Sequence, residues 1–556
     1  MNGAQAIIKG LEKEGVTCMF GYPGAAIAPL YDKLPGSKIR HILVRHEQHA
    51  GHAAGGYARV AGRPGVCAVT SGPGATNLLT ALATAYMDSI PIVAISGQVD
   101  SGLLGRDVFQ EADITGAAEP FTKYSYLVKD AGELPRIVKE AFHIASTGRP
   151  GPVLIDVPAD VQAAETKFIF PQEALIRGYR PTIHGHAGQI KRVLRMLDQS
   201  KRPLICAGGG IFAAKAQDTF AAFIETLNIP VVSTLMGIGA IPTAHPLYMG
   251  QVGMHGKSTA NDAISETDVL ILLGARVSDR AVLLPDKVKR RTKIIHVDID
   301  PAEIGKNLDT FLPVVGDVKT VMEQILSYDP AAKGDEWVAF LTEKKNGRRV
   351  DYAARADGVN PKAFVSELSK ALPDDFIYCA DVGQNQLWSA GNVDIRSGGR
   401  FLTTGGMGTM GYAIPAAIGA RIASEEPPAR AGGGKVEPAR TDPGRFTIAV
   451  CGDGSFQMSM MELATIAQHG VDVKIIVMVN GKLGLVREIQ TDAYGDRQTA
   501  VDLSGSPDPV AIAKAYGMDG AAADDWVEAE AGIRNLIAHK GPYLLAVRVS
   551  DKESSL

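Results

Sequence analysis

The sequence predicts an α/β protein built from three doubly wound parallel-sheet domains, on three observations. Short apolar runs alternate with longer amphipathic segments almost from end to end, the rhythm of strands joined by crossover helices. The chain has 556 residues, and a prior of about 150 residues per domain gives three or four units, each able to bury its own core. Glycine is abundant, at 61 residues, with no G-x-y period, as expected where many strands turn sharply into helices.

Taken in order, MNGAQAIIKGLEKEG reads as a helix with Lys9, Glu12, Lys13 and Glu14 toward water, not as a leader peptide. CMFGY, HILVR, VCAVTS, IVAIS and VLIDVP are strand candidates, separated by helix-length segments such as QHAGHAAGGYARVAG and NLLTALATAYMDS. They define a first unit, residues 1–165, and the polar stretch 166–188 reads as a linker. PLICAGGG, VVST, VLILLG and KIIHVDID build a second unit over 188–327. FIYCADVG, FTIAVCGDG, VKIIVMVN and LLAVRV build a third over 360–550. Residues 424–444, rich in Pro, Gly and charge, read as an exposed loop. No internal repeat is visible.

Composition narrows the function classes. The charge balance, 57 − 61 = −4, is too even to suggest nucleic acid or an acidic membrane surface as partner. No run of 18 apolar residues offers a membrane span. Cys18, Cys67, Cys206, Cys379 and Cys451 each sit in an apolar run and form no C-x-x-C pair. They read as structural thiols in a reducing compartment, so a cytoplasmic location is expected.

Two tempting motifs fail. GMGTMG at 406–411 matches G-x-G-x-x-G but has no acidic residue closing the next strand, and GMHGKST at 253–259 misplaces the first glycine of a P-loop. The strongest signal is Gly452-Asp453-Gly454-Ser455, between the strand FTIAVC and the helix FQMSMMELATIAQ. Flanking glycines let the backbone approach a ligand, and a helix N-terminus favours anions. Asp453 alone would hold a hard divalent cation weakly. Asn480, 27 residues later at the end of VKIIVMV, offers a second oxygen, and adjacent parallel strands would bring both to one sheet edge.

This GDG…N spacing resembles the metal–diphosphate motif of thiamin-diphosphate enzymes. FGYPGAAI (20–27), VRHEQ around Glu47, TSGPGATN (70–77), DVFQEAD (107–113), GRPGPVLIDVP (148–158), GMHG (253–256), HVDIDPAEIGKN (296–307) and GGMGTMG (405–411) together resemble the acetolactate (acetohydroxyacid) synthase catalytic-subunit family, end to end. The resemblance implies the domain order pyrimidine-binding, central FAD-type and diphosphate-binding. It implies decarboxylation of pyruvate and ligation of the two-carbon unit to a second 2-oxo acid, giving 2-acetolactate and CO2 for branched-chain amino-acid biosynthesis. Thiamin diphosphate, Mg2+ and FAD are the implied cofactors.

Residue by residue, the resemblance implies Glu47 as partner of the cofactor's pyrimidine nitrogen, Met410 as the wedge bending the cofactor, and Gly408 as the carbonyl that accepts from the cofactor's amino group. Asp453 and Asn480, with the Lys482 carbonyl, would hold Mg2+. Val382, Gly383, Gln384, Gly452, Gly454 and Ser455 would cradle the diphosphate. Pro23, Gly24, Pro73 and Asn77 complete the cofactor set. Ala26, Phe109 and Gln110 would reach the substrate, with Gln110 also catalytic, and Arg280 would grip the acceptor carboxylate. Arg149, Gly208, Gly209, Gly210, His255, Gly256, Asp298 and Asp317 fall in the implied flavin segments. A homodimer or homotetramer with shared sites is implied, with a separate small regulatory subunit as a further partner.

The sequence departs from the family at Ile489, where a Trp usually favours 2-oxobutyrate over pyruvate as acceptor; losing it implies a roomier, less selective pocket. His49 stands for a Gly, and His46, His49 and His52 are expected on a polar helix face. Two other functions stay in view: a related thiamin-diphosphate lyase with another acceptor, and a non-catalytic binding subunit of the same fold.

Overall fold

The computed structural model describes residues 1–278, 291–348, 352–426 and 444–555. Arg280 and most of the 424–444 loop therefore lie outside the described residues. Three six-stranded sheets organise the rest, and every strand pairing in them is parallel.

In spatial order the first sheet runs Arg40–Leu43, Cys18–Tyr22, Gly65–Val69, Ile92–Gln98, Val153–Pro158 and Tyr124–Leu127. The third runs Arg400–Leu402, Ile377–Ala380, Thr447–Gly452, Val473–Val479, Tyr543–Arg548 and Asp519–Ala523. Numbered along the chain, both follow the order 2-1-3-4-6-5, so the first and third units are one topology used twice. The sequence hides this repeat because topology constrains where strands lie, not which apolar residues fill them.

The second sheet runs Leu312–Val315, Lys293–Asp298, Val269–Leu273, Pro203–Ala207, Val231–Ser233 and Tyr248–Gln251. Its order, 6-5-4-1-2-3, reverses between Val269–Leu273 and Pro203–Ala207, and that reversal opens a crevice at the strands' carboxyl ends.

Central strands follow the apolar runs of the sequence and are buried on both faces, as parallel sheets require. The strands that sequence patterning passes over, Tyr124–Leu127, Tyr248–Gln251, Leu312–Val315, Arg400–Leu402 and Asp519–Ala523, are all short edge strands. The helix expected over FQMSMMELATIAQ is broken into Asp453–Ser459, a tight turn Met460–Glu462 and Leu463–His469. The break turns Glu462 toward the first unit, where its carboxylate accepts from Arg45 N at 2.8 Å.

The first and third units meet through equivalent helices, Glu47–Ala61 and Ala413–Ser424. A Cβ on Gly56 would lie 2.0 Å from the Ala416 carbonyl oxygen, and one on Gly419 would lie 1.8 Å from that of Ala53. The two contacts mirror each other, since each helix offers an alanine and, three residues on, a glycine. One apolar core runs through this contact, from Phe20 and Val69 through Ala50 and Ala54 to Ala417, Ile475 and Leu544.

Gly56→Val and Gly419→Val should each lower the thermal midpoint sharply, because the added atoms meet backbone carbonyls rather than side chains that can turn away. Overpacking of this kind costs about 1–3 kcal/mol or more. Gly36→Ala, where nothing lies within 4 Å, should leave the midpoint unchanged; equal midpoints for all three variants would refute the close approach.

Candidate functional site

At the carboxyl edge of the third sheet, Asp453 opens the helix Asp453–Ser459, and Asn480 follows the adjacent strand Val473–Val479. Asp453 is buried, which pushes its carboxyl above the usual range against the pull of backbone donors. Its oxygens accept from Gly454 N at 3.0 Å and Gly481 N at 2.7 Å. Lys482 N donates to Asn480 Oδ1 at 3.1 Å, and the Lys482 ammonium pairs with Asp502 at 2.7 Å. Gln384 accepts from Asn480 Nδ2 at 3.2 Å. Oxygen donors of this kind suit a hard divalent cation.

Beside them, Gly383 holds φ +123° and starts the helix Gln384–Asn392, and Ser455 Oγ donates to the Val382 carbonyl at 3.2 Å. Gly484 opens the helix Gly484–Tyr494 so close to Gln384 that a Cβ there would lie 1.9 Å from Oε1. Ile489 lies on that helix, 50 % exposed.

The Gly405–Gly411 loop, bearing Gly408 at φ +64° and Met410, is clamped at one end by the buried carboxylate of Asp381 and at the other by the half-buried one of Asp88. Asp381, at the end of strand Ile377–Ala380, accepts from Gly411 N at 3.0 Å and Ala413 N at 2.8 Å. Asp88, at the end of helix Pro73–Met87 in the first unit, accepts from Gly405 N at 3.2 Å and Gly406 N at 2.8 Å. Thr84 and Thr409 hydroxyls meet at 2.7 Å. Burial raises both carboxyls, Asp381 to about 6, although the backbone donors work the other way. Met410 reaches toward Gly454, whose Cβ would lie 3.6 Å from its terminal methyl.

In the first unit Glu47 is the first residue of its helix, and its Oε2 accepts from Asn77 Nδ2 at 3.0 Å. Cβ atoms on Gly24 and Gly74 would lie within 2.7 Å of Thr70, whose buried hydroxyl has no hydrogen-bond partner among the described residues. Pro73 starts the Asn77 helix, Pro23 is exposed, and Ala26 accepts from Gln162 Nε2 at 2.8 Å. Gln110 adopts φ +60°, pressed against Gly72, and Phe109 beside it is 86 % exposed. A non-glycine residue in this conformation is the kind of strain stored at functional loops.

The expected polar face of histidines is corrected. His49 and His52 are 3 % and 2 % exposed, and His49 Nδ1 lies 2.8 Å from Glu462 Oε1 at the junction of the first and third units. Packing of that helix against the third unit buries the face.

In the second unit Gly208 and Gly210 follow strand Pro203–Ala207, and their Cβ atoms would fall 2.1 and 2.6 Å from Gly274 at the end of Val269–Leu273. The glycines thus line the crevice where strand order reverses, and Gly209 lies between them. Buried Gln251 Oε1 and His296 Nε2 have no hydrogen-bond partner among the described residues. Burial pushes His296 down to about 4 and Asp298 up to about 6. Gly256 packs on the Gln251 carbonyl beside His255. Asp317 caps the helix Val318–Leu326, and Arg149 of the first unit pairs with Glu303 at 2.8 Å. Glycines gathered at a strand-order reversal, where an open α/β sheet leaves a crevice for a ligand, fit a dinucleotide-type ligand.

Sequence reasoning passed over Asp381, Asp88, Glu462 and Glu488. Asp381 carried a signal, an acid closing the apolar run FIYCA before Val382-Gly383. Glu462, alone in the apolar stretch MMELAT, carried a weaker one. Asp88 and Glu488 carried none, because their partners come from distant segments.

Comparison with known proteins gives three matched models: the thiamine pyrophosphate enzyme N-terminal TPP-binding domain at residues 1–117, its central domain at 190–325 and its C-terminal TPP-binding domain at 381–547. The acetolactate synthase large subunit of Corynebacterium glutamicum is 44% identical over 93% of this chain and 82% of its own length. The acetolactate synthase of Arthrospira platensis is 43% identical over 100% of this chain and 95% of its own. A probable acetolactate synthase large subunit of Methanocaldococcus jannaschii is 42% identical over 100% and 93%.

Asp381 gives a prediction with a sign. Its folded value of about 6 lies above the ordinary carboxyl value, so its contribution to stability is full below about pH 4 and is lost as pH rises through about 6. The stability difference between the native chain and Asp381→Asn should therefore narrow from pH 4 to pH 7, by up to about 3 kcal/mol in urea melts. A difference that widens over that range would refute the assignment.

Proposed function

The chain belongs to the acetolactate synthase large-subunit family of thiamin-diphosphate enzymes, and from that premise we propose that it condenses two molecules of pyruvate into 2-acetolactate with loss of CO2, using Mg2+ and FAD besides thiamin diphosphate. Asp453 and Asn480, two oxygen donors on adjacent strand ends beside a helix N-terminus, are the observation that carries this reading. The division 1–165, 188–327 and 360–550 belongs to it as well, since each span holds one sheet.

Thiamin diphosphate, when bound, supplies a carbon acid whose conjugate base adds to a 2-oxo acid and accepts the electrons released with CO2. Glu47, oriented by Asn77, would share a proton with the cofactor's pyrimidine nitrogen. Asp453, Asn480 and the Lys482 carbonyl would hold Mg2+, and Val382, Gly383, Gln384, Gly452, Gly454 and Ser455 would meet the diphosphate. Gly408 and Met410, fixed between Asp88 and Asp381, would set the cofactor's bend. Pro23, Gly24 and Pro73, with Thr70, would line the Glu47 side. Ala26, Phe109, Gln110, Ile489 and Arg280 would meet the 2-oxo acids. The FAD role is structural, because the condensation has no net redox change; Gly208–Gly210, His255, Gly256, Asp298, Asp317 and Arg149 would hold it.

The hydrogen bonds of Glu47 stay within the first unit and those of Asp453 within the third. Together with the exposure of Phe109 and Asn77, this supports a homodimer or larger homo-oligomer in which a second copy completes each site. A small regulatory subunit is proposed from the printed name of the Corynebacterium relative, which is called a large subunit. Among the described residues no helix is long and apolar enough to cross a membrane. Five buried, unpaired cysteines support a cytoplasmic location.

The test is a competition assay with purified protein, thiamin diphosphate, Mg2+ and FAD, comparing pyruvate alone with pyruvate plus 2-oxobutyrate. Acetolactate should be the main product without strong preference for 2-oxobutyrate, and Glu47→Gln should lose at least about 100-fold in rate. A strong acetohydroxybutyrate bias would overturn the inference from Ile489. CO2 release without ligation would indicate a related lyase, and neither product a non-catalytic subunit.

A further inference from the structure

A line of hydrogen bonds leads away from the candidate cation site to the C-terminal segment. Lys482 N donates to Asn480 Oδ1 at 3.1 Å, and Asn480 Nδ2 donates to Gln384 Oε1 at 3.2 Å. Gln384 Nε2 donates to Glu488 Oε2 at 3.0 Å and to the Glu553 carbonyl at 3.3 Å. Glu488 Oε1 accepts from Ser555 N at 2.9 Å and Ser554 Oγ at 2.7 Å. The segment is itself anchored, since Glu553 pairs with Arg355 at 2.7 Å and Lys362 at 3.0 Å.

Both ends of this line are fixed backbone donors, Lys482 N and Ser555 N. A side-chain amide has one accepting end and one donating end, so a row of amides carries its polarity unchanged from end to end. Such a row between two donors cannot satisfy both. It needs one group that accepts on both sides, and an ionised carboxylate does so. Glu488 is that group. Burial opposes its ionisation, but Ser554, Ser555 and Gln384 outweigh this and hold the carboxyl below the usual range. With Glu488 accepting, Gln384 must point its amine toward Glu488 and its oxygen toward Asn480. Asn480 must then give up its amine and keep its oxygen beside Lys482 N.

We propose that Glu488, together with the Glu553 carbonyl, is a positioning residue for the cation site, holding through Gln384 the amide orientation that makes Asn480 present oxygen rather than nitrogen to the metal, an orientation that an acceptor at position 488 preserves and a donor there reverses. This rests on the reading of Asp453 and Asn480 as cation ligands. It gives Glu488 a task distinct from that of its neighbour Ile489, and a partner of a ligand placed in this way is a common determinant of metal affinity.

The isosteric Glu488→Gln is the sharp test. Ser555 N still demands an acceptor, so the new amide turns its nitrogen toward Gln384 and reverses the row down to Asn480. Glu488→Ala removes the acceptor without adding a donor, and the Glu553 carbonyl still orients Gln384. The truncation should therefore harm the site less than the isostere. Titration calorimetry of Mg2+ into protein saturated with thiamin diphosphate should give a dissociation constant at least about tenfold higher for Glu488→Gln. Glu488→Ala should fall within about threefold of the native chain, as should Ser554→Ala, and adding Glu488→Gln to Gln384→Met should cause no further loss. Thiamin diphosphate affinity at saturating Mg2+ and the thermal midpoint should change little.

The proposal is overturned if Glu488→Ala is as damaging as Glu488→Gln, or if Glu488→Gln leaves Mg2+ affinity within twofold while Asp453→Asn weakens it tenfold. It is also overturned, in favour of simple anchoring of the C-terminal segment, if Mg2+ affinity, cofactor affinity and thermal midpoint all fall together. If Asp453→Asn itself leaves Mg2+ affinity unchanged, the cation-site reading fails and the role of Glu488 falls with it.

Discussion

The contact between helices Glu47–Ala61 and Ala413–Ser424 is the constraint on which the rest of the molecule depends. Two glycines, Gly56 and Gly419, let the helices touch backbone to backbone, each placing an alanine carbonyl where the other would carry a Cβ. Because the two units share one topology, the helices are equivalent elements and the contact is reciprocal. Packing at this range leaves no slack. It fuses two hydrophobic cores into one and fixes the carboxyl edges of both sheets relative to each other.

Polar contacts across the same junction then refine what the helix pair places. Asp88 reaches from the first unit to the loop carrying Gly408 and Met410, while Glu462 reaches from the third unit to Arg45 N and His49, flanking Glu47. Each unit therefore holds the chemical segment of the other. The carboxylates concerned, Glu462 buried and Asp88 half-buried, accept backbone N–H groups, which have one orientation and cannot turn away. A carboxylate held by such donors defines a loop more tightly than an exposed ion pair, whose partners sample many rotamers. The second unit contributes differently, since its strand order reverses and its glycines gather at that reversal rather than at a helix contact.

Much of this was legible in the sequence. The central strands announced themselves as apolar runs, because a parallel strand covered on both faces has no polar positions. Asp453 and Asn480 were legible because each closes such a run at a sheet edge. Edge strands such as Tyr124–Leu127 were not, being half wet and short. The histidines misled for a related reason: His46, His49 and His52 look polar in sequence, but a helix face is polar or buried according to what packs on it.

The sequence by itself determined the strands, the glycines at their ends, the acid–amide pair at one sheet edge and the family resemblance, all of which depend on residues close together in the chain or on fixed local spacing. Only the tertiary structure decided that the first and third units are the same topology, that Gly56 and Gly419 face each other's backbones, and that Asp88, Asp381, Glu462 and Glu488 take their places around the site. These depend on which distant segments meet, and hydrogen-bond polarity is a property of the pair: a carboxylate's donors are known only once both ends of the contact are in place.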